Sequence, residues 1–228
     1  MFRKVFRSLA ALFVFITGCK ARYTWNTEEE YYRLPKWQDY VNKFEKMDYP
    51  PHTTTLFIGD SMTEGFDLKK HLGGDSLVNM GIGGDFTSGI LKRLYVVDSL
   101  RPRKVFVMIG INDILKNVPQ ERIETQYEQI ISQLKSICPQ SEIYIQSCLP
   151  TTGMGGSEAN NSLVIARVKQ LNNFLVNECE RQGVHFINLY PLFEKPMDHM
   201  NSTLTYDGLH LNEEGNKVWA QAITNVVI

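Results

Sequence analysis

Excess charge of one sign is the first thing this sequence does without. Its 24 basic and 25 acidic residues leave a formal net charge of −1 over 228 positions. No broad field draws it to nucleic acid or to an anionic membrane surface, and nucleic acid is excluded as a partner on that ground. No segment repeats at a fixed period and no tract is of low complexity, which argues against a solenoid or an array. The apolar run at residues 9–16 is far shorter than the roughly 20 residues a spanning helix needs. Cysteine is scarce, at four. With Cys19 set apart, Cys138, Cys148 and Cys179 are an odd number, and all three are expected to be buried thiols acting as small apolar residues. What remains is 43% hydrophobic and 21% charged, the composition of one ordinary globular domain with a short appendage.

That apolar run follows Arg3, Lys4 and Arg7 and leads through small residues to Cys19, the layout of a secretory signal. Ile16-Thr17-Gly18-Cys19 resembles the bacterial lipobox, in which the cysteine is lipidated and becomes the first mature residue. The resemblance implies a signal peptide over residues 1–18, lipidation of Cys19 and an exported domain held at a membrane; an ordinary signal with a chance cysteine is the alternative. Residues 19–52 then read as a tether and a lead-in helix. Trp37, Tyr40, Val41 and Phe44 recur at helical spacing and predict a helix over 36–47, stopped by Pro50-Pro51. The aromatic residues Tyr23, Trp25, Tyr31, Tyr32 and Trp37 are expected to pack on the domain, a carbohydrate-stacking surface being their other use.

From residue 53 short apolar runs alternate with longer periodic segments. Strands are predicted at 55–58, 77–78, 105–109, 143–146 and 185–187, and helices at about 63–71, 87–98, 120–137, 162–182 and 213–226. Near-continuous apolar strands between helices imply crossover connections, hence a parallel sheet covered on both faces. Ligands of such sheets bind beyond the carboxyl ends of the strands.

The chemistry-bearing residues all fall at such ends. Gly59-Asp60-Ser61 follows the first strand, and Ser61 is the candidate nucleophile, provided the chain also supplies a base, an orienting carboxylate and donors for an oxyanion. Asn79-Met80-Gly81-Ile82-Gly83-Gly84-Asp85 follows the second. A dinucleotide loop would want glycine where Phe86 stands, so the turn is read as bringing a backbone N–H close to a developing negative charge. Asn112, after the third strand, is a side-chain donor for the same space, though alone it would be a turn residue. Asp207 stands three residues before His210 with Gly208 between them, which lets the carboxylate hold one imidazole nitrogen while the other faces a serine. A metal site would want further ligands, and His52, His71, His185 and His199 show no companion spacing; no metal and no other cofactor is expected. His185, in an apparent strand, is expected to be a satisfied core residue. Cys148 follows a strand as Ser61 does, but no histidine partner for it is evident. Residues 151–157, after the fourth strand, are expected to form a flexible substrate rim.

Taken in order, Gly59-Asp60-Ser61, Gly84 within its turn, Asn112 in Gly110-Ile111-Asn112-Asp113, and Asp207 with His210 resemble the four blocks of the SGNH hydrolases, also called the GDSL family, over residues 55–228. The resemblance implies an α/β fold, a three-layer α/β/α sandwich with a five-stranded parallel sheet of flavodoxin-like type, over residues 53–228. It implies Ser61 as nucleophile, His210 as base and Asp207 as its orienter, with an oxyanion hole formed by the N–H groups of Ser61 and Gly84 and the side chain of Asn112. Gly84 takes that role because it immediately precedes Asp85. Met62 stands where the family commonly has Leu or Ile, an apolar change of similar volume. Gly-Ile-Gly-Gly-Asp resembles the branch that includes the platelet-activating-factor acetylhydrolase catalytic subunits and many bacterial esterases. The expected reaction is hydrolysis of a small acyl ester, acetyl first, through an acyl-enzyme. The partner is then a small-molecule or carbohydrate ester substrate. Lysophospholipid or thioester hydrolysis, and a non-catalytic glycan-binding surface protein, are the alternatives.

Overall fold

Five strands carry the domain: β1 (Thr55–Gly59), β2 (Leu77–Gly81), β3 (Lys104–Met108), β4 (Glu142–Gln146) and β5 (His185–Ile187). The computed structural model describes residues 28–74, 76–154, 157–196 and 199–227, so the signal, Cys19, Tyr23 and Trp25 lie outside the described residues. The strands form one parallel sheet in the order β2-β1-β3-β4-β5. β1 and β3 are buried along their whole length, as their near-continuous apolar sequences require of strands covered on both faces.

The side-chain alternation of a strand sorts these residues into two cores. Leu56, Ile58, Val105 and Val107 face a core closed by α8 (Gln120–Ile137) and α9 (Glu158–Gln182). Phe57, Phe106 and Tyr144 face the other, closed by α11 (Glu213–Val227), with Trp219 and Ile223 fully buried. The second face carries a row of rings at equal register. Phe57 stacks on Phe106, Phe106 on Tyr144 and Tyr144 on His185, each pair 4.7 Å apart. His185 ends this row on the edge strand. It is exposed there, which corrects the expectation of a core histidine: an edge strand has no neighbour beyond it to cover the ring.

Two helices break where the periodicity predicts continuity. The stretch at 63–71 is α3 (Ser61–Glu64) and α4 (Leu68–Leu72), separated because Asp67 caps a new helix by accepting Lys70 N–H at 3.0 Å. The stretch at 87–98 is α5 (Thr87–Arg93) and α6 (Tyr95–Leu100), and α9 starts at Glu158, behind the Ser157 cap. α7 (Ile111–Leu115) is an added turn after β3, and α10 (Tyr190–Phe193) is another after β5. Asn212 caps α11, accepting Gly215 N–H at 3.0 Å.

The N-terminal segment is part of the body. α1 (Glu28–Tyr32) and α2 (Pro35–Phe44) bury Tyr31, Tyr32, Trp37, Val41 and Phe44 in the same core as β1 and β2. The helical face predicted for 36–47 does pack on the domain, and it ends at Phe44. Cys138, Cys148 and Cys179 are buried and free.

Candidate active site

At the end of β1 the chain turns sharply from strand into α3, and Gly59 is what permits it. A Cβ there would lie 2.2 Å from Thr63 Oγ1 and 2.3 Å from the Met108 carbonyl oxygen. Asp60 caps the short helix by accepting Met62 N–H at 3.0 Å. Ser61 is the first helical residue, where the N–H groups have no acceptor within the helix. Asp60 is fully buried, and burial pushes its carboxyl up to about 7 against the pull of the Met62 N–H.

Ser61 Oγ lies 2.9 Å from His210 Nε2. The opposite ring nitrogen, Nδ1, lies 2.7 Å from Asp207 Oδ2, while Asp207 Oδ1 accepts the backbone N–H groups of Leu209 at 3.0 Å and His210 at 2.7 Å. This arrangement holds Nδ1–H toward the carboxylate and leaves Nε2 as the acceptor for the serine proton. Partial burial works to raise the Asp207 pKa, but the hydrogen bonds from the His210 ring and the two backbone N–H groups outweigh it and hold the carboxyl below its ordinary value.

The loop that presents this pair is built locally. Thr205 Oγ1 donates to the His210 carbonyl at 2.6 Å and accepts Gly208 N–H at 3.0 Å. Gly208 sits at φ +85°, and a Cβ there would be 2.2 Å from the Thr152 carbonyl oxygen. Thr152 N–H in turn donates to the Gly208 carbonyl at 2.8 Å. The start of the expected rim is therefore fastened to the histidine loop: Thr151 is buried and Gly153 is exposed.

The remaining two predicted blocks meet each other. Gly84 adopts φ +89°, a conformation natural to glycine. Asn112, in α7, donates one amide hydrogen from Nδ2 to the Asp85 carbonyl at 2.9 Å, which orients its side chain and leaves the second hydrogen of that nitrogen to donate elsewhere. Asp113 accepts Thr87 Oγ1–H at 2.6 Å, tying α7 to α5, and burial raises its carboxyl to about 7. Cys148 is fully enclosed, with its Sγ 3.0 Å from the Ile109 carbonyl oxygen and its thiol pushed upward by burial. A thiol so placed is not available for attack.

Several contributors carry no motif of their own. Arg93 joins Asp85 to the Gly59 carbonyl beneath the site. Glu64 accepts Gly83 N–H at 2.7 Å. Tyr206 stacks on His210 at 5.7 Å and 12° while 70% exposed. Of these, only Tyr206 has a local signal in the sequence, a ring four residues ahead of a candidate base. The residues next in sequence to Ser61 and His210 line a small cavity of about 10 Å³: Asp60, Met62 and Leu209 close it together with Met108, Ile109, Ile111, Cys148 and Leu149.

A parallel α/β sandwich with a serine, a histidine and an aspartate in contact beyond the carboxyl ends of its strands has the layout of a serine hydrolase. Residues 57–218 match the GDSL-like Lipase/Acylhydrolase family, and the chain belongs to it. That is a family of hydrolases acting on ester bonds, as the four ordered blocks implied. The chain is 25% identical to Platelet-activating factor acetylhydrolase IB subunit alpha1 of Rattus norvegicus over 209 residues, 85% of this chain and 83% of the relative. It is 26% identical over 181 residues to N-acylneuraminate cytidylyltransferase of an Escherichia coli strain, covering 75% of this chain but 39% of that enzyme. The chain thus spans about two fifths of that relative's length. A solved structure from Streptococcus pneumonia, described as a platelet activating factor, superposes with a TM-score of 0.75 at 24% identity over 88% of this chain and 96% of the other. That likeness speaks for the fold.

Proposed function

We propose that this chain is a serine esterase that hydrolyses a small acyl ester, acetyl in the first place, through an acyl-enzyme on Ser61. The observation that carries the reading is the continuous contact from Ser61 Oγ to His210 Nε2 at 2.9 Å and from His210 Nδ1 to Asp207 at 2.7 Å. Ser61 Oγ attacks the ester carbonyl as its proton passes to His210 Nε2, and Asp207 steadies the resulting imidazolium. The carbonyl oxygen becomes an oxyanion held by the N–H groups of Ser61 and Gly84 and by Asn112 Nδ2. Collapse expels the alcohol, which takes the proton from Nε2. Water, deprotonated by the same nitrogen, then attacks the acyl-serine and releases the acid and free Ser61.

Two features support a short acyl group. The small cavity closed by Asp60, Met62 and Leu209, about 10 Å³, has room for roughly one water-sized group, which suits an acetyl methyl. The rat relative is an acetylhydrolase by name. For the alcohol side we favour a sugar: the exposed Tyr206 ring beside His210 is a surface on which a sugar ring can stack. The name of the rat relative favours a second reading, an acetylated phospholipid. Rates on p-nitrophenyl esters of increasing chain length, with acetylated xylan, acetylated sialic acid and an acetylated lysophospholipid alongside, separate these. Acetate should be cleaved fastest, and a preference for octanoate would overturn the small-acyl reading. Export and a lipid anchor at Cys19 complete the proposal on the strength of residues 16–19. Cys19→Ala should move the protein from membrane to soluble fractions, and retention would count against lipidation.

A further inference from the structure

We propose that Tyr31 is a positioning residue of the oxyanion hole, acting through the peptide that joins Gly83 to Gly84. The inference rests on the reading above, in which the Gly84 N–H receives the oxyanion. Tyr31 donates its hydroxyl hydrogen to the Gly83 carbonyl oxygen at 2.9 Å. That oxygen and the Gly84 N–H belong to one planar, trans peptide unit, so they point in opposite directions and turn together. Fixing the oxygen toward Tyr31 therefore fixes the direction in which the Gly84 hydrogen points.

The peptide before it is held as well. Gly83 N–H donates to Glu64 Oε2 at 2.7 Å, and Glu64 ends α3, the turn that Ser61 begins. A methyl added at Gly83 would lie 3.5 Å from Ser61 Cβ, so this stretch of backbone lies directly against the nucleophile. The clamp answers a specific weakness. Gly83 and Gly84 are consecutive glycines, the least restrained backbone a chain can have. A donor that has to reorient as charge develops forfeits much of its value, because stabilisation of this kind depends on dipoles already in place.

Tyr31 is suited to the task. It is 3% exposed, and its ring meets Phe86 edge-on at 5.6 Å and 74° and Tyr32 at 5.6 Å and 68°. Its neighbours brace the same loop, one directly and two through Glu64. Trp37 Nε1–H donates to Asp85 Oδ1 at 3.2 Å, and Tyr40 and Lys36 donate to Glu64 at 2.5 and 3.2 Å. All four residues come from α1 and α2, upstream of the stretch that matches the family. The segment read from sequence as a lead-in thus supplies part of the catalytic geometry.

The test is Tyr31→Phe, which removes the hydroxyl and keeps the ring. Removing an oxyanion donor outright typically costs about 100- to 1,000-fold. Loosening one should lower kcat on p-nitrophenyl acetate by about 10-fold or more, with KM within about twofold, since the ground state gains little from the hole. Affinity for a boronic acid, which forms a tetrahedral adduct on the serine, should fall by the same factor as kcat/KM. Replacing Tyr31 with 4-aminophenylalanine, which restores a donor, should recover most of the loss. If the phenylalanine variant is too unstable to assay, 4-methylphenylalanine fills the space of the hydroxyl without donating, and the same split is expected. A donor-less variant with wild-type kcat and boronate affinity overturns the proposal, whatever its melting temperature. A wild-type enzyme whose Ser61 is inert to a fluorophosphonate overturns the underlying esterase reading, and the clamp with it; labelling of Ser61 with an unaffected Tyr31→Phe overturns the clamp alone.

Discussion

Arg93 and Asp85 form a buried ion pair beneath the candidate site: Nε lies 2.9 Å from Asp85 Oδ2, with both side chains at 1% exposure or less. Arg93 Nη2 also reaches the Gly59 carbonyl at 3.2 Å, so one guanidinium joins the strand end that presents Ser61 to the turn that presents Gly84. Removing one partner of a buried pair leaves the other charge uncompensated, at a cost of about 3–5 kcal/mol. Arg93→Met should lose stability of that order in chemical denaturation and lose activity with it. A variant of near wild-type stability would show that Asp85 does not depend on its partner.

Asp60 should give stability a pH dependence opposite to that of an ordinary salt-bridged carboxylate. Its pKa is raised by burial to about 7 in the folded chain, against roughly 3.9 when unfolded. The folded state therefore holds this proton more tightly. The group carries no penalty below about pH 4, and one on the order of a few kcal/mol builds up as pH rises to about 7. Asp60→Asn keeps an oxygen for the Met62 N–H and removes the titration, so the variant should gain on wild type steadily between about pH 4 and 7. Denaturation curves that stay parallel over that interval would contradict this placement of the charge.

Two glycines with similar backbone angles should answer differently to alanine. Gly208 and Gly153 sit at φ +85° and +75°, but a Cβ at Gly208 meets the Thr152 carbonyl at 2.2 Å, whereas one at Gly153 meets nothing within 4 Å among the described residues. Gly153→Ala carries only the strain of its angle, about 1 kcal/mol, and should leave kcat/KM nearly unchanged. Gly208→Ala has to displace the loop that aims His210 and should lower kcat/KM by about 100-fold or more. Equal effects of the two on p-nitrophenyl acetate hydrolysis would mean that the Thr152–Gly208 contact does not aim the histidine.

Part of this fold and site is legible in the sequence alone. Ser61 and the Asp207–His210 pair were legible because their signals are local: a glycine-terminated apolar strand, and a carboxylate, a glycine and an imidazole inside one turn. The sheet was legible because doubly covered strands read as apolar runs. The breaks between α3 and α4 and between α5 and α6 were not, since apolar spacing continues across both. Nor was the exposure of His185, which depends on β5 lying at the sheet edge. Tyr31 and Gly83 are 52 residues apart, and Trp37 and Asp85 are 48; contacts at that range leave no periodicity in a single sequence, so the part α1 and α2 play at the site was hidden inside an aromatic helical face.

The most direct measurement of the central claim is covalent labelling by a fluorophosphonate with the modified residue located by mass spectrometry. The probe should label the wild type once, on Ser61. Ser61→Ala should take no label, and His210→Ala should label several orders of magnitude more slowly while retaining wild-type stability. Label on another residue, label that persists in Ser61→Ala, or a folded wild type that takes none would contradict the assignment of Ser61 as the nucleophile.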